Sequence, residues 1–123
     1  MAYNGTLATE AQVGLAIGEN PSTPQALQAN LDLWILMSES DIETQLGENV
    51  GVVANYSSLT AANKQWLAIV ASHRAAFYAI NQNQNSWSLA TTQSKLNVCD
   101  GVWTGFISDL KERKADLLAD IGL

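Results

Sequence analysis

Reactive side chains are scarce in this chain, and their spacing limits what they can do. Histidine and cysteine occur once each, as His73 and Cys99. A di-metal site in a helical bundle needs Glu-x-x-His pairs, and Val70 stands where that glutamate belongs. No acid lies three or four residues from His73 on either side, so it reads as a core or hairpin-facing imidazole with one hydrogen bond. Ser72-His73 has no third member at a spacing that would complete a nucleophilic triad. Cys99 alone excludes an intramolecular disulfide, and its place among apolar residues reads as a small core side chain, not a nucleophile. Glu39, Asp41 and Glu43 alternate by two, so on a helix they diverge, whereas paired acid–base catalysis needs them to converge. They read as a solvated helix N-terminus, and Asp100 and Asp109 as surface. Neither a GxGxxG nor a GxxxxGKS/T pattern is present to cradle a phosphate. The expectation is a protein that is not an enzyme, with no metal and no cofactor.

The elements that would position these residues are helical. From Thr60 to Ile80, Trp66, Ile69, His73, Ala76 and Ile80 recur at spacings of three and four, with Val70 and Phe77 widening the stripe. After Ser88 the same spacing runs through Leu89, Thr92, Leu96, Cys99, Trp103, Phe106, Leu110, Arg113 and Leu117. That alternation marks a helix burying one face against another helix. It predicts an antiparallel helical hairpin capped at Thr60 and Ser88 and joined by the polar link NQNQNSW. At 1.5 Å per residue the second rod, Leu89 to about Ala119, is roughly 45 Å long and the first roughly 30 Å. The longer rod therefore overshoots, and its end must pack on the first half of the chain or on another molecule. The cations of KERK at 111–114 suit that helix C-terminus.

Upstream the signals are weaker. Residues 1–5 read as a flexible arm, and Thr6 as the cap of a short helix from Leu7 to Ile17 that Gly18 ends. The link GENPSTP holds both prolines, and Ser22-Thr23-Pro24-Gln25 has the form of a capping box. Leu27, Leu31, Trp34, Ile35 and Ser38 then make one stripe. In SESDIETQL, Ser40 followed by Glu43 offers a fresh helix start, and a break there is favoured over a bend. Ile42, Leu46, Val50 and Val53 continue past Gly47 and Gly51, each costing about 1 kcal/mol inside a helix, so residues 40–56 read as helix or loop. A strand at VGVVANY would have no partner. The fold expected is all-α: one helical domain over 1–123, a bundle of four to five helices dominated by its C-terminal antiparallel hairpin.

A chain of 123 residues, 47% apolar and 15% charged, is long enough to hold a core without staples. Its charge is uneven. Met1 to Asn63 carries seven acids and no lysine or arginine, while from Lys64 onward six bases face five acids. No basic stripe exists to grip phosphates, which argues against nucleic-acid binding. No apolar run approaches the ~20 residues of a membrane span. MAYNGTLATEA has neither the charged nor the apolar region of a secretory signal, so the expected location is a cytoplasm or something assembled in one.

What remains suits protein partners. Trp34, Trp66 and Trp103 fall on three stripes and are expected to meet in one core. Trp87 sits at a loop end, either as an exposed anchor or packed on the hairpin. Gly101 and Gly105 form a GxxxG that permits close approach of a neighbouring helix or subunit. With the overhanging end, the candidate interface residues are Trp87, Gly101, Gly105, Leu117, Leu118 and Ile121.

In size, helical pattern, low-charge Ala/Asn/Gln/Ser-rich composition and overhanging terminal helix, the chain resembles the small head–tail connector or adaptor proteins of tailed bacteriophages. That resemblance implies a structural virion protein whose copies form a homo-oligomeric ring beneath a portal, a terminal segment of each inserting into its neighbour. It also implies an acidic channel through which DNA slides without sticking, with the base-free first half toward the lumen. The reading from another class is a small intracellular helical module that docks one partner helix. A third, a ligand-binding or enzymatic bundle, would need polar groups converging on His73 or Cys99.

Overall fold

The computed structural model describes residues 5–18, 27–47, 50–82 and 88–122. Within them the chain is all-helical, as the periodicity predicts. Four α-helices follow in order: α1 (Glu10–Ile17), α2 (Gln28–Leu46), α3 (Ala61–Gln82) and α4 (Leu89–Ile121), with one turn of 3-10 helix at Tyr56–Ser58. No fifth α-helix and no strand occur among the described residues.

The middle of the bundle is α3, which packs against α4, α2 and α1. Contacts along the α3–α4 pair run in opposite senses: Asn63 meets Arg113 and Asp120, Trp66 meets Phe106, and Arg74 meets Trp103. As the α3 number rises the α4 number falls, which defines an antiparallel pair. Two apolar clusters divide the core along α3. Around its first half, Leu67, Val70 and Ala71 pack with Leu7, Ile42, Leu46, Phe106 and Leu117. Around its second half, Ala75, Ala76, Ala79 and Ile80 pack with Val13, Ile17, Trp34, Ile35 and Cys99. The alanines let backbones approach closely enough for Trp34 and Ile35 to fill the space. Each large side chain fully buried here contributes about 1.5–3 kcal/mol.

Several details depart from the sequence reading, each for a physical reason. α2 runs unbroken through Ser40. The hydroxyls of Ser38 and Thr44 bond back to Ile35 O and Ser40 O in their own helix, and Glu39, Asp41 and Glu43 all find tertiary partners. α2 ends instead at Gly47, whose φ of +99° and ψ of 161° suit glycine alone. The first helix begins at Glu10, because Thr9 and Gln12 cap each other's backbone N–H groups, while Leu7 and Ala8 go into the core as non-helical chain. On α3 the buried face is rotated from the predicted stripe: Ile69 is 46% exposed, and Leu67 and Ala71 are buried in its place. Trp34 sits in the second cluster, away from Trp66 and Trp103, which both stack near Phe106 beside the first. Finally, the end of α4 overhangs nothing: Leu117 is fully buried by the first half of the same chain, with Leu118 and Ile121 packed beside it. The capping box proposed at Ser22–Gln25 lies outside the described residues.

Candidate protein interface

The polar side chains of this bundle hold helices together. Arg74, on α3, donates through Nε to Asp41 on α2 at 3.0 Å, and Tyr78, one turn along, donates its hydroxyl to the same carboxylate oxygen. The guanidinium lies 4.3 Å from the centre of the Trp103 ring on α4 and within reach of the Phe77 and Tyr78 rings. One cation thus joins three helices. Burial and the Asp41 carboxylate hold the Tyr78 hydroxyl above its ordinary pKa.

Glu39 is buried, and its Oε2 accepts the backbone N–H groups of Thr6 and Leu7, each at 2.5 Å. Desolvation outweighs those two bonds, so its carboxyl is held above the usual range. Asp32, two turns earlier on α2, is also buried, and burial together with the hydrogen-bonded Glu10 carboxyl raises its pKa. At the other end, Asp120 accepts from Thr60 N–H at 2.9 Å and from Asn63 Nδ2 at 2.7 Å, which holds its carboxyl below the usual range. The three acids grouped by sequence therefore diverge, as their spacing requires, but they are structural acceptors and not a solvated turn.

The candidate reactive groups do not converge. Half-buried His73 donates through Nδ1 to Ile69 O at 2.8 Å within its own helix. Cys99 is buried in the second cluster, and desolvation pushes its thiol up to about 11 against the opposing pull of Lys95. A thiol held there is protonated at neutral pH and a poor nucleophile. Among the described residues no three His, Cys, Asp or Glu side chains stand close enough to share a metal ion. No helix among them is long and apolar enough to cross a membrane.

Of the predicted interface residues, Gly101 and Gly105 lie on the outer side of α4, where a Cβ would meet nothing within 4 Å. Among the described residues no helix uses the close approach they permit. Leu117 is taken out of the interface set by its burial, and Leu118 and Ile121 are largely occupied by the core. Trp87 lies outside the described residues. Apolar surface appears instead where the sequence reading did not place it. On the outer face of α2, Leu33 is 52% exposed with Met37 beside it. Between α1 and α3, Ile69 borders two adjoining hollows of about 440 and 220 Å³, the smaller of them also lined by Leu15 (83% exposed). On α4, Leu89, Val98 and Ile107 are exposed.

The α2 patch was missed, although Leu33 and Met37 lie one helical turn apart and off the buried stripe. The α1–α3 groove was hidden, because Ile69 fits a three–four alternation as well as its buried neighbours do. The Arg74 hub had one signal, a lone arginine in the alanine-rich second half of its helix. A scan of protein-family models finds no match to this chain, and searches of curated proteins and of solved structures find none either.

Proposed function

We propose that this protein is a structural assembly subunit, a head–tail adaptor or connector of a tailed bacteriophage that forms a homo-oligomeric ring and meets other virion proteins such as a portal. The observation that supports this reading is that large apolar side chains are left uncovered on three separate surfaces. They are the outer face of α2, the α1–α3 groove, and the flanks of α4, with Leu89 and Ile107 on one and Val98 about half a turn away on the other. A ring subunit needs two surfaces for its neighbours and a third for the component above or below it. A module that docks a single helix needs only one groove. The chemistry fits the same role, since Arg74–Asp41 joins two helices, Glu39 ties the N-terminal chain to α2, and the outer side of α4 keeps Gly101 and Gly105 free for close approach.

Native mass spectrometry of the purified chain, alone and mixed with a candidate portal ring, tests the proposal. The expected result is a closed multimer, or one that closes on the portal. A strict monomer that ignores the portal and binds one partner helix would favour the small regulatory module.

A further inference from the structure

Residues 5–11, the start of α1 included, lie as a strap along one face of α2. Asp32, Ile35 and Glu39 share that face, at spacings of three and four. The strap runs against the helix direction: Thr6 and Leu7 meet Glu39, and Glu10 meets Asp32. Gly5 passes so close that a Cβ on it would overlap the Ile35 side chain. Leu7 and Ala8 are buried in the cluster that holds Ile42 and Leu46 of the same helix. A hollow of about 400 Å³ remains between strap and helix, with Glu10 and Ile35 in its lining.

Acids fasten the strap. Glu39, 4% exposed, takes the two backbone N–H groups on one oxygen, each at 2.5 Å. Asp32, 3% exposed, is hydrogen-bonded to the carboxyl of Glu10, the first residue of α1. Two carboxyls bond to each other only with a proton between them, since an ionised one can accept but not donate. The charged groups that act on the buried acids are acids too, Glu10 on Asp32 and Glu43 on Glu39. Bases of α3 and α4 make their contacts elsewhere: Lys64 over Tyr56, Arg74 on Asp41, Arg113 on Asn63, and Lys95 on Ile17 O at the far end of α1. Full ionisation thus sets negative charge against negative charge in a place shielded from water. Burial and these neighbours hold the Asp32 and Glu39 carboxyls above their ordinary range.

We propose that the strap is a proton-operated latch, closed on α2 while protons are held beneath it and loosened as the Glu10–Asp32 pair and Glu39 ionise. A group that binds its proton more tightly in the closed state favours closure in acid, and that advantage is lost as pH rises through the closed-state value. Opening uncovers Ile42 and Leu46 where Leu7 and Ala8 sat, so the latch sets how much apolar surface α2 presents. The device belongs to the single chain and stands whether or not copies assemble.

Hydrogen exchange read by mass spectrometry on the full chain, between pH 5 and pH 8 and corrected for the intrinsic pH dependence of exchange, tests the latch. Protection of residues 6–12 should fall by about threefold or more across that range, while residues 67–80 of α3 keep theirs. Asp32→Asn combined with Glu39→Gln keeps the accepting oxygens and removes the titration, so protection of residues 6–12 should stay level throughout. Each single variant should keep part of the wild-type fall, and serves if the double variant loses helicity by circular dichroism. A flat wild-type profile would overturn the latch, as would variants that follow the wild-type curve. A parallel fall in α3 would assign the effect to global unfolding and overturn a local device.

Discussion

Arg74 and Asp41 form a hydrogen-bonded ion pair at 3.0 Å that joins α3 to α2, and the same guanidinium stacks on Trp103 of α4. Both side chains are partly exposed, at 21% and 32%, so the pair alone is worth no more than about 1 kcal/mol. The stack on the indole adds about 0.5–1 kcal/mol. Arg74→Met keeps most of the packing and should lower unfolding free energy by about 1–2 kcal/mol in urea titrations. Arg74→Lys should recover little of it, since an ammonium cannot stack flat on Trp103 while donating to Asp41.

Glu39 sets a pH dependence that runs against the usual acidic one. Its folded pKa is raised, so its contribution is favourable in acid and is lost as pH rises from its ordinary value through the folded one. Glu39→Gln keeps an oxygen for the Thr6 and Leu7 N–H groups and removes the buried charge. Its melting temperature relative to wild type should therefore be higher at pH 7 than at pH 4. Glu39→Ala orphans both donors and should cost about 1–3 kcal/mol at either pH.

How far the sequence could be read depended on how many neighbours each helix has. α4 packs on one side only, and its three–four stripe matches the buried or half-buried residues from Thr92 to Leu117, though its first predicted member, Leu89, is 81% exposed at the start of the helix. α3 is enclosed by three helices, so apolar residues lie nearly all round it and the stripe could be drawn through Ile69 as readily as through Leu67. Ser40 and Glu43 carried the form of a helix start, but a capping residue acts as one only where the backbone N–H groups after it lack partners. In α2 those groups are already bonded within the helix. Leu7 and Ala8 look like the first turn of a helix because core residues outside helices leave no periodic trace. The interface surfaces were the least legible part, since exposure is set by what other elements leave uncovered.

Glycines 14 and 18 should respond in opposite directions. Gly18 ends α1 at φ +96° and ψ −168°, and a Cβ there would also strike the Lys95 ammonium that donates to Ile17 O at 2.8 Å. Gly18→Ala should cost about 1–3 kcal/mol. Gly14 lies inside the same helix with no atom near its missing Cβ, so Gly14→Ala should stabilise by about 0.5–1 kcal/mol. Thermal melts of the two variants check both signs.

Asp120 reports on whether the two longest helices are joined end to start in solution. It lies in the last turn of α4 yet accepts from Thr60 N–H and Asn63 at the first turn of α3, where a negative charge also suits the helix dipole. Its folded pKa is lowered, so its contribution is present above the unfolded value of about 3.9 and fades as pH falls through the folded one. Asp120→Asn should therefore lower the melting temperature at pH 7, and the difference from wild type should shrink towards pH 3. Asn63→Ala in the Asp120→Asn background should add less than it does alone, because the two residues share one hydrogen bond. Equal losses at both pH values, with the two substitutions fully additive, would mean that the ends of α3 and α4 do not meet.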